Sequence, residues 1–179
     1  IREALNEEFY ESFSFELTAQ NDVVRLIEGN EILEAIEDSY RNLGHEDTTI
    51  IVRSNKRANL YNQQIRSRIL YQEEEISAGD YLMVVKNNYF WVKPNSEAGF
   101  IANGDIIKVL EIFAIKELYG FRFAEVKVQM VDYPKMKPFE TVVLLDTLTS
   151  NNPSLTYEEA NKLYQEVMLD YQDEKSKYK

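Results

Sequence analysis

The sequence has no cysteine and only one histidine. Without cysteine, disulfide frameworks, thiolate zinc sites and cysteine nucleophiles are all excluded. The single histidine, His45, lies in the turn-like run Gly44-His45-Glu46-Asp47, and no nucleophile elbow accompanies it elsewhere in the chain. A serine hydrolase triad is therefore not supported, and we interpret His45 as a loop residue.

Glycine is also scarce, with six residues in a chain of 179. Neither a G-x-x-x-x-G-K-[ST] loop nor a G-x-G-x-x-G fingerprint occurs, so no segment can cradle a nucleoside triphosphate unaided. The three consecutive glutamates at 73–75 do not converge on one point in either a helix or a strand. We therefore interpret them as a solvated boundary and predict no metal site.

Long apolar runs are absent, since none approaches the roughly 20 residues of a membrane-spanning helix. A content of 44% hydrophobic and 12% aromatic residues predicts a folded core rather than disorder. We expect no membrane partner and a cytoplasmic location. The chain begins at Ile1 and ends in the charged run DEKSKYK, and we expect it to be part of a longer protein.

The net charge is −11, yet one stretch reverses this sign. Residues 51–71 contain five Lys or Arg and no Asp or Glu, whereas residues 1–50 contain three basic and thirteen acidic side chains. Phosphate contacts need clustered cations, so the overall acidity argues against non-specific nucleic-acid binding by the chain as a whole. The central region remains as the place for contacts with anions.

Hydrophobic periodicity predicts two kinds of structure along the chain. Residues 22–28 and 48–52 are strand candidates, and residues 31–43 and 57–71 have the apolar spacing of amphipathic helices. This strand–helix alternation is typical of a parallel β/α layer. From residue 80 onwards the pattern predicts short strands at 81–86, 89–92, 105–115, 121–131 and 141–145. A final helix is predicted over 156–170, capped by Ser154 or Thr156.

These elements predict an α/β fold, or α+β overall, in which a small antiparallel barrel is inserted into a partial parallel layer. We divide the chain into an N-terminal docking segment at 1–20, a partial α/β lobe at 21–75, the barrel at 79–146 and a returning helix at 147–179. Turn signals at Asn87-Asn88, Asn103-Gly104 and Tyr119-Gly120 separate the strands of the barrel.

The basic turn between strand 48–52 and the following helix is the first candidate site. Ligands bind at the carboxyl ends of strands in open α/β sheets, and a helix N-terminus favours phosphate. Arg53 leaves the strand, and Lys56 and Arg57 follow in the first helical turn. Arg53 is the best single candidate, because a guanidinium holds phosphate bidentately and stays charged. The alternative is that the three cations pair with carboxylates of this acidic chain.

The run IIVRSNKRANLYNQQIR at 50–66 resembles motif four of superfamily-one helicases, at the start of the second RecA-like lobe. The runs GDYLMVVKNNY at 79–89 and FIANGD at 100–105 resemble the SH3-like barrel inserted in RecD-like helicases, a family related to UvrD-like and exodeoxyribonuclease V-like enzymes. The resemblance covers residues 48–145. The chain departs from the family in lacking Walker A, Walker B and an H-x-x-Q-G motif five.

The resemblance implies an ATP-dependent DNA helicase whose ATP and Mg are bound mainly by another RecA-like lobe, missing from these residues. Arg53 would then reach the ATP phosphates across the lobe interface, with Lys56 and Arg57 as further contacts. The chain alone is predicted not to hydrolyse ATP. The implied partners are single-stranded DNA and the missing lobe, and the implied setting is DNA repair.

The barrel supplies the second candidate site. Lys86, Asn87, Tyr89, Trp91 and Lys93 place aromatic rings between cations and amides, a combination typical of surfaces that bind single-stranded nucleic acid. In a strand, residues 89 and 91 face one way and Phe90 the other, so the alternative is that some of these rings fill the barrel. We predict that Tyr89 and Trp91 are not both buried. The alternative function is a non-enzymatic module whose barrel binds a peptide or another protein.

Overall fold

The computed structural model describes residues 23–150, 152 and 154–172, and the chain divides into two compact units, Ile1–Ile50 and Ile51–Lys179. The predicted docking segment at 1–20 lies outside the described residues. The described residues form a mixed helix and strand fold with one antiparallel, curled sheet of four strands. None of the helices in this part of the chain is both long and apolar enough to cross a membrane.

The first unit contributes helix α1, Gly29–Asn42. Its start is closed by a reciprocal capping box in which Glu28 and Glu31 each accept from the other's backbone N–H. Its end is closed by Gly44, which has a positive φ of 87° and donates its N–H to the carbonyl of Tyr40. Ile36 is buried on its apolar side. The helix predicted over 31–43 is therefore confirmed.

The sheet of the second unit has the strand order β1-β2-β3-β4, with β1 at Tyr81–Met83, β2 at Ile106–Leu118, β3 at Phe121–Met130 and β4 at Phe139–Leu144. A two-residue turn joins β2 and β3, and both Tyr119 and Gly120 have positive φ there. This geometry matches the right-handed twist of the flanking strands. Four of the five predicted strands, and the turn at 119–120, are thus confirmed.

Alternating residues of β3 point into the core, as the period of a half-buried strand requires. Ala124, Val126, Val128 and Met130 are almost fully buried there, and Val109 of β2 packs with them. Leu145, in the 3₁₀ turn Leu145–Thr147, lies against the same cluster. The core of the unit is therefore built by one face of the β2–β3 hairpin and the segments that fold across it.

The strand predicted at 89–92 is wrong. The Oδ1 atom of Asn88 accepts from the backbone N–H of Phe90, at 2.8 Å, and of Trp91, at 3.2 Å. The Asn88 side chain thus accepts hydrogen bonds that a neighbouring strand would otherwise accept. The backbone therefore turns here instead of continuing as a strand. Pairing at this point is a single antiparallel bridge between Asn88 and Ile101.

The strand candidates at 22–28 and 48–52 also fail: residues 23–28 and 48–52 are irregular. A strand needs a neighbour that takes up its backbone N–H and C=O groups. No described segment runs beside either stretch as a ladder partner, and the described sheet contains antiparallel pairs alone. The parallel β/α layer is accordingly not found among the described residues.

Helix α2, Asn55–Gln64, continues into one π-helical turn at Ile65–Ile69, so the helix predicted over 57–71 is confirmed. Helix α3, Tyr157–Asp170, is capped by Thr156, one of the two predicted caps, and the Thr156 side chain forms a capping box with Glu159. The bonds from Thr156 hold the pKa of the Glu159 carboxyl below its ordinary value. α3 contacts the β2–β3 turn through the Tyr119 hydroxyl, which donates to Asp170 at 2.7 Å.

Two Gly-Asp pairs form the same turn at the starts of neighbouring strands. In residues 77–80 and 102–105 the fourth N–H donates to the first carbonyl, and Gly79 and Gly104 have φ values of 97° and 98°. Each aspartate also accepts, at 2.7 Å, from the N–H three residues before it: Asp80 from Ser77 and Asp105 from Ala102. The Gly-Asp pairs that carry the helicase resemblance therefore have a local folding role.

Candidate phosphate and nucleic-acid surfaces

The N-terminus of α2 positions the first predicted cluster. The Ser54 side chain caps the helix by accepting from the Arg57 N–H at 3.3 Å. Arg53 precedes this cap, and Lys56 and Arg57 lie in the first turn, as predicted. All three side chains are exposed.

The three cationic side chains make no ion pair or hydrogen bond with any of the described residues: those of Arg53, Lys56 and Arg57. Other cations of the second unit do pair: Arg66 with Asp80, Lys116 with Glu125, and Arg122 with Glu75. The alternative, in which nearby carboxylates neutralise the cluster, thus finds no support in the described ranges.

The placement of these cations is electrostatically unfavourable for the helix itself. A helix N-terminus carries a partial positive charge, and carboxylates in the first turn are the stabilising choice there. The first turn of α2 contains no acidic residue and two basic ones. In contrast, the first turns of α1 and α3 contain glutamates. Among these helices, α2 alone breaks the rule, and a bound anion would offset the repulsion.

The second cluster lies on the segment that turns around Asn88. The side chain of Tyr89 is 67% exposed, that of Phe90 77% and that of Trp91 38%. The prediction that Tyr89 and Trp91 are not both buried is therefore confirmed. Val92, next in sequence, is buried in the core and anchors the segment to the sheet. We call residues 86–93 the aromatic loop.

The rings of the aromatic loop form two contacts. Tyr89 stacks on Phe100, with ring centroids 5.0 Å apart and planes inclined by 25°. Phe90 meets Trp91 edge to face at 5.1 Å. Phe100 was not among the predicted site residues. Phe100 is brought to Tyr89 because the next residue, Ile101, pairs with Asn88. The sequence alone does not predict this pairing.

Asn87 holds the aromatic loop against the Asn103-Gly104 turn. Its Oδ1 atom accepts from the Asn103 N–H at 2.8 Å, and its Nδ2 atom donates to the Tyr89 hydroxyl at 3.2 Å. The exposed amide of Asn87 thus contacts both the turn and the Tyr89 hydroxyl. Direct contact of Asn87 with a ligand stays a prediction.

Lys86 and Lys93 flank the exposed rings. Both side chains are exposed, and neither forms an ion pair within the described ranges. Cations beside aromatic faces provide the two interactions that single-stranded nucleic acid needs, namely charge for phosphates and stacking for bases. All five residues predicted for this site lie in the aromatic loop, where Asn87 bonds to Tyr89 and Tyr89 stacks on Phe100, which was not predicted. Binding of nucleic acid by this loop stays a prediction.

No described hydrogen bond or ion pair joins the cationic start of α2 to the aromatic loop. The described residues contain no group of three His, Cys, Asp or Glu that could hold a metal ion. Comparison of the sequence with protein-family models and with curated proteins yields no match.

Proposed function

We propose that this chain is part of a RecD-like, superfamily-one ATP-dependent DNA helicase. It supplies Arg53, Lys56 and Arg57 to the phosphates of ATP held by another RecA-like lobe. The observation that carries the proposal is a set of three cations at the N-terminus of α2 that form no ion pair with the described residues, in a protein of net charge −11. Unpaired cations placed against a helix dipole are costly for folding and useful for binding an anion.

The cationic cluster fits a phosphate chain and does not fit its metal. Guanidinium and ammonium groups supply donors and charge, and the exposed N–H groups of the first turn add further donors. Carboxylates for Mg are absent from this turn, so the metal would be held by the other lobe. Bound ATP supplies the phosphoryl group, and Arg53 would offset the negative charge that develops on it.

In the complete lobe we propose that residues 48–52 become a strand of a parallel β/α layer. They are all β-branched, and residues 50–52 are apolar, which suits a strand covered on both faces. Their pairing partners would come from parts of the helicase outside this chain. The curled sheet would then be the SH3-like barrel inserted after α2.

The aromatic loop would contact single-stranded DNA in this arrangement. Its exposed rings can stack on bases of any sequence, and Lys86 and Lys93 can contact the flanking phosphates. The same rings would serve a module that binds a peptide or another protein. The two functions differ in their dependence on salt, because phosphate contacts release counterions and apolar contacts do not.

The phosphate site is tested in the full-length protein with Arg53→Ala. We expect loss of ATP turnover with DNA affinity retained, and a phosphate affinity lowered about tenfold by loss of one charged hydrogen-bonding group. Arg68→Ala is the matched control, because Arg68 is an exposed cation on the π-helical turn that follows the same helix. The isolated chain should not hydrolyse ATP at all. Turnover by the isolated chain that Arg53→Ala abolishes would overturn the assignment.

The DNA surface is tested by the fluorescence of Trp91, the single tryptophan of the chain. Oligo-dT at low salt should change the emission, since stacking alters the surroundings of a partly exposed indole. No change would count against the DNA surface. A response to proline-rich peptides that does not depend on salt would favour the peptide-binding module instead.

A further inference from the structure

The side chain of Arg66 connects the helical segment to the sheet. Its Nε atom donates to Asp80 Oδ1 at 3.0 Å and its Nη2 atom to Oδ2 at 2.9 Å, which makes a two-pronged ion pair. The Asp80 side chain is only 9% exposed. This is the least exposed ion pair among the described residues.

Asp80 is itself fixed within the sheet. Its carboxylate accepts from the Ser77 N–H, and its backbone carbonyl accepts from the Val109 N–H at 2.8 Å. The preceding Gly79 donates its N–H to the Val109 carbonyl at 2.7 Å. The acceptor for Arg66 therefore moves with strand β2.

A second polar contact starts from the same side of the helix. Asn59 donates through Nδ2 to the Ser150 carbonyl at 2.6 Å, beyond the 3₁₀ turn that ends the sheet. Asn59 and Arg66 are seven residues apart, close to two helical turns, so both project toward the same side. Ile65, between them in sequence, is buried. The helical segment is thus held at two points along its length.

We infer that Arg66, Asp80 and Asn59 are positioning residues that fix α2 rigidly on the curled sheet. Buried ion pairs contribute little net stability compared with apolar packing, because desolvation offsets their attraction. A two-pronged ion pair instead restricts geometry, because both bonds form in only one orientation of the guanidinium plane. The pair therefore sets the angle and register of α2 on the sheet.

If α2 is fixed on the sheet, the start of α2 and the aromatic loop keep a constant relative position. This interpretation rests on the proposed function. The cationic start of α2 lies upstream of Asn59, and the aromatic loop is anchored to the same sheet through Val92. Any displacement of α2 toward a phosphate would then carry the aromatic loop with it. The contacts of Arg66 and Asn59 would therefore couple phosphate binding at α2 to movement of the single-stranded DNA bound at the aromatic loop.

The test uses energy transfer from Trp91 to one label. The chain contains a single tryptophan and no cysteine, so Gln63→Cys, at an exposed position of α2, provides a unique attachment site. We expect a single narrow distribution of donor–acceptor distances by time-resolved fluorescence. Arg66→Lys keeps the charge but cannot form the two-pronged pair, so it should broaden the distance distribution. The double variant with Asn59→Ala should lose the narrow component.

Lys116→Ala is the matched control, because Lys116 pairs with Glu125 across β2 and β3 and takes no part in the contacts of Arg66 or Asn59. It should leave the distance distribution unchanged. Thermal melting of each variant, followed by circular dichroism, separates the positioning role from a general loss of folding. We expect the Arg66→Lys variant to melt near the parent temperature while its distribution broadens.

An unchanged distribution in the Arg66→Lys and Asn59→Ala double variant would overturn the inference, whatever its melting temperature. The measurement is made without phosphate or DNA, so it does not depend on the proposed function. If the distribution broadens as expected but neither tripolyphosphate nor oligo-dT binds, the rigid attachment stands and the helicase function fails.

Discussion

At the scale of single residues, Gly79 and Gly104 allow two turns that only glycine adopts without strain. Both have φ near 97° in equivalent turns, and a Cβ at Gly104 would meet no atom within 4 Å. The cost of a side chain there is therefore conformational and not steric.

Gly104→Ala should accordingly destabilise the second unit by about 1–2 kcal/mol, the cost of holding an L-residue in the left-handed region. The measurement is urea unfolding followed by circular dichroism, which reports on both units. Gly29→Ala is the control, because Gly29 begins α1 in open space without a positive φ and alanine is the better helix former. Equal effects of the two substitutions would contradict this explanation.

The hydroxyl of Tyr119 is the second residue-scale case. The hydrogen bond that it donates to Asp170, together with the negative charge there, raises the pKa of Tyr119 to about 12 from the ordinary value near 10. A folded pKa above the unfolded one means that the folded state retains the proton longer. The stabilisation is then fully present below pH 10 and is lost as the pH rises toward 12.

Tyr119→Phe should therefore remove the part of the stability that depends on pH in this window. The difference in melting temperature between the parent and the variant should be constant below pH 10 and shrink between pH 10 and 12. Subtracting the two curves removes the contribution of the other eleven tyrosines. A difference that stays constant up to pH 12 would show that the Tyr119 proton is not held by Asp170.

Sequence patterns placed individual residues of the candidate sites better than they identified the partners of those residues. Arg53, Lys56 and Arg57 stand at the helix start as predicted, because a helix boundary depends on local residues. The Arg66–Asp80 pair and the Tyr89–Phe100 stack were not predicted. Each joins residues eleven or more positions apart, and such pairings depend on how the strands align.

At the scale of elements, strong local signals gave the helices and the β2–β3 hairpin. The strand expected at 89–92 failed because the side chain of Asn88 competes for the backbone, and 48–52 failed because a strand is defined by its neighbours. The register shifts in β2, between Val109 and Glu111 and between Ile112 and Ala114, were also not predicted. Bulges arise from strand pairing and twist, for which a single sequence has no clear signal.

Helix α2 provides an element-scale prediction about the balance of stability and binding. Lys56→Glu replaces a cation that opposes the helix dipole with an anion that favours it. We expect the free energy of unfolding to rise by about 0.5–1 kcal/mol at low salt and the gain to disappear at high salt.

The same substitution should weaken tripolyphosphate binding, measured by calorimetry. Lys162→Glu, at an exposed position in the middle of α3, controls for the change in net charge. Lower stability of Lys56→Glu, or unchanged phosphate binding, would contradict the view that this helix start is kept basic for a ligand.

At the scale of the whole molecule, the net charge of −11 opposes any polyanion, so binding must depend on local cations. Repulsion from the rest of the chain is long-ranged at low salt and is screened beyond about 10 Å at 0.1 M. Added salt should therefore weaken the proposed phosphate contacts and the opposing repulsion together. We expect this partial compensation to limit the salt dependence of any DNA binding.

Two cations of the aromatic loop, Lys86 and Lys93, form no ion pair with the described residues, so we expect at most two phosphate contacts there. Each contact with a single strand contributes about −0.7 to the slope of log K against log salt, and we expect a slope no steeper than about −1.4 for oligo-dT. Lys86→Gln should bring the slope to about −0.7 while binding persists, because stacking on Tyr89 and Trp91 does not release counterions. Lys137→Gln, an exposed cation outside the loop, should leave the slope unchanged. A slope steeper than the two lysines allow would place additional phosphate contacts elsewhere, with the cationic start of α2 as the first region to examine by Arg57→Gln.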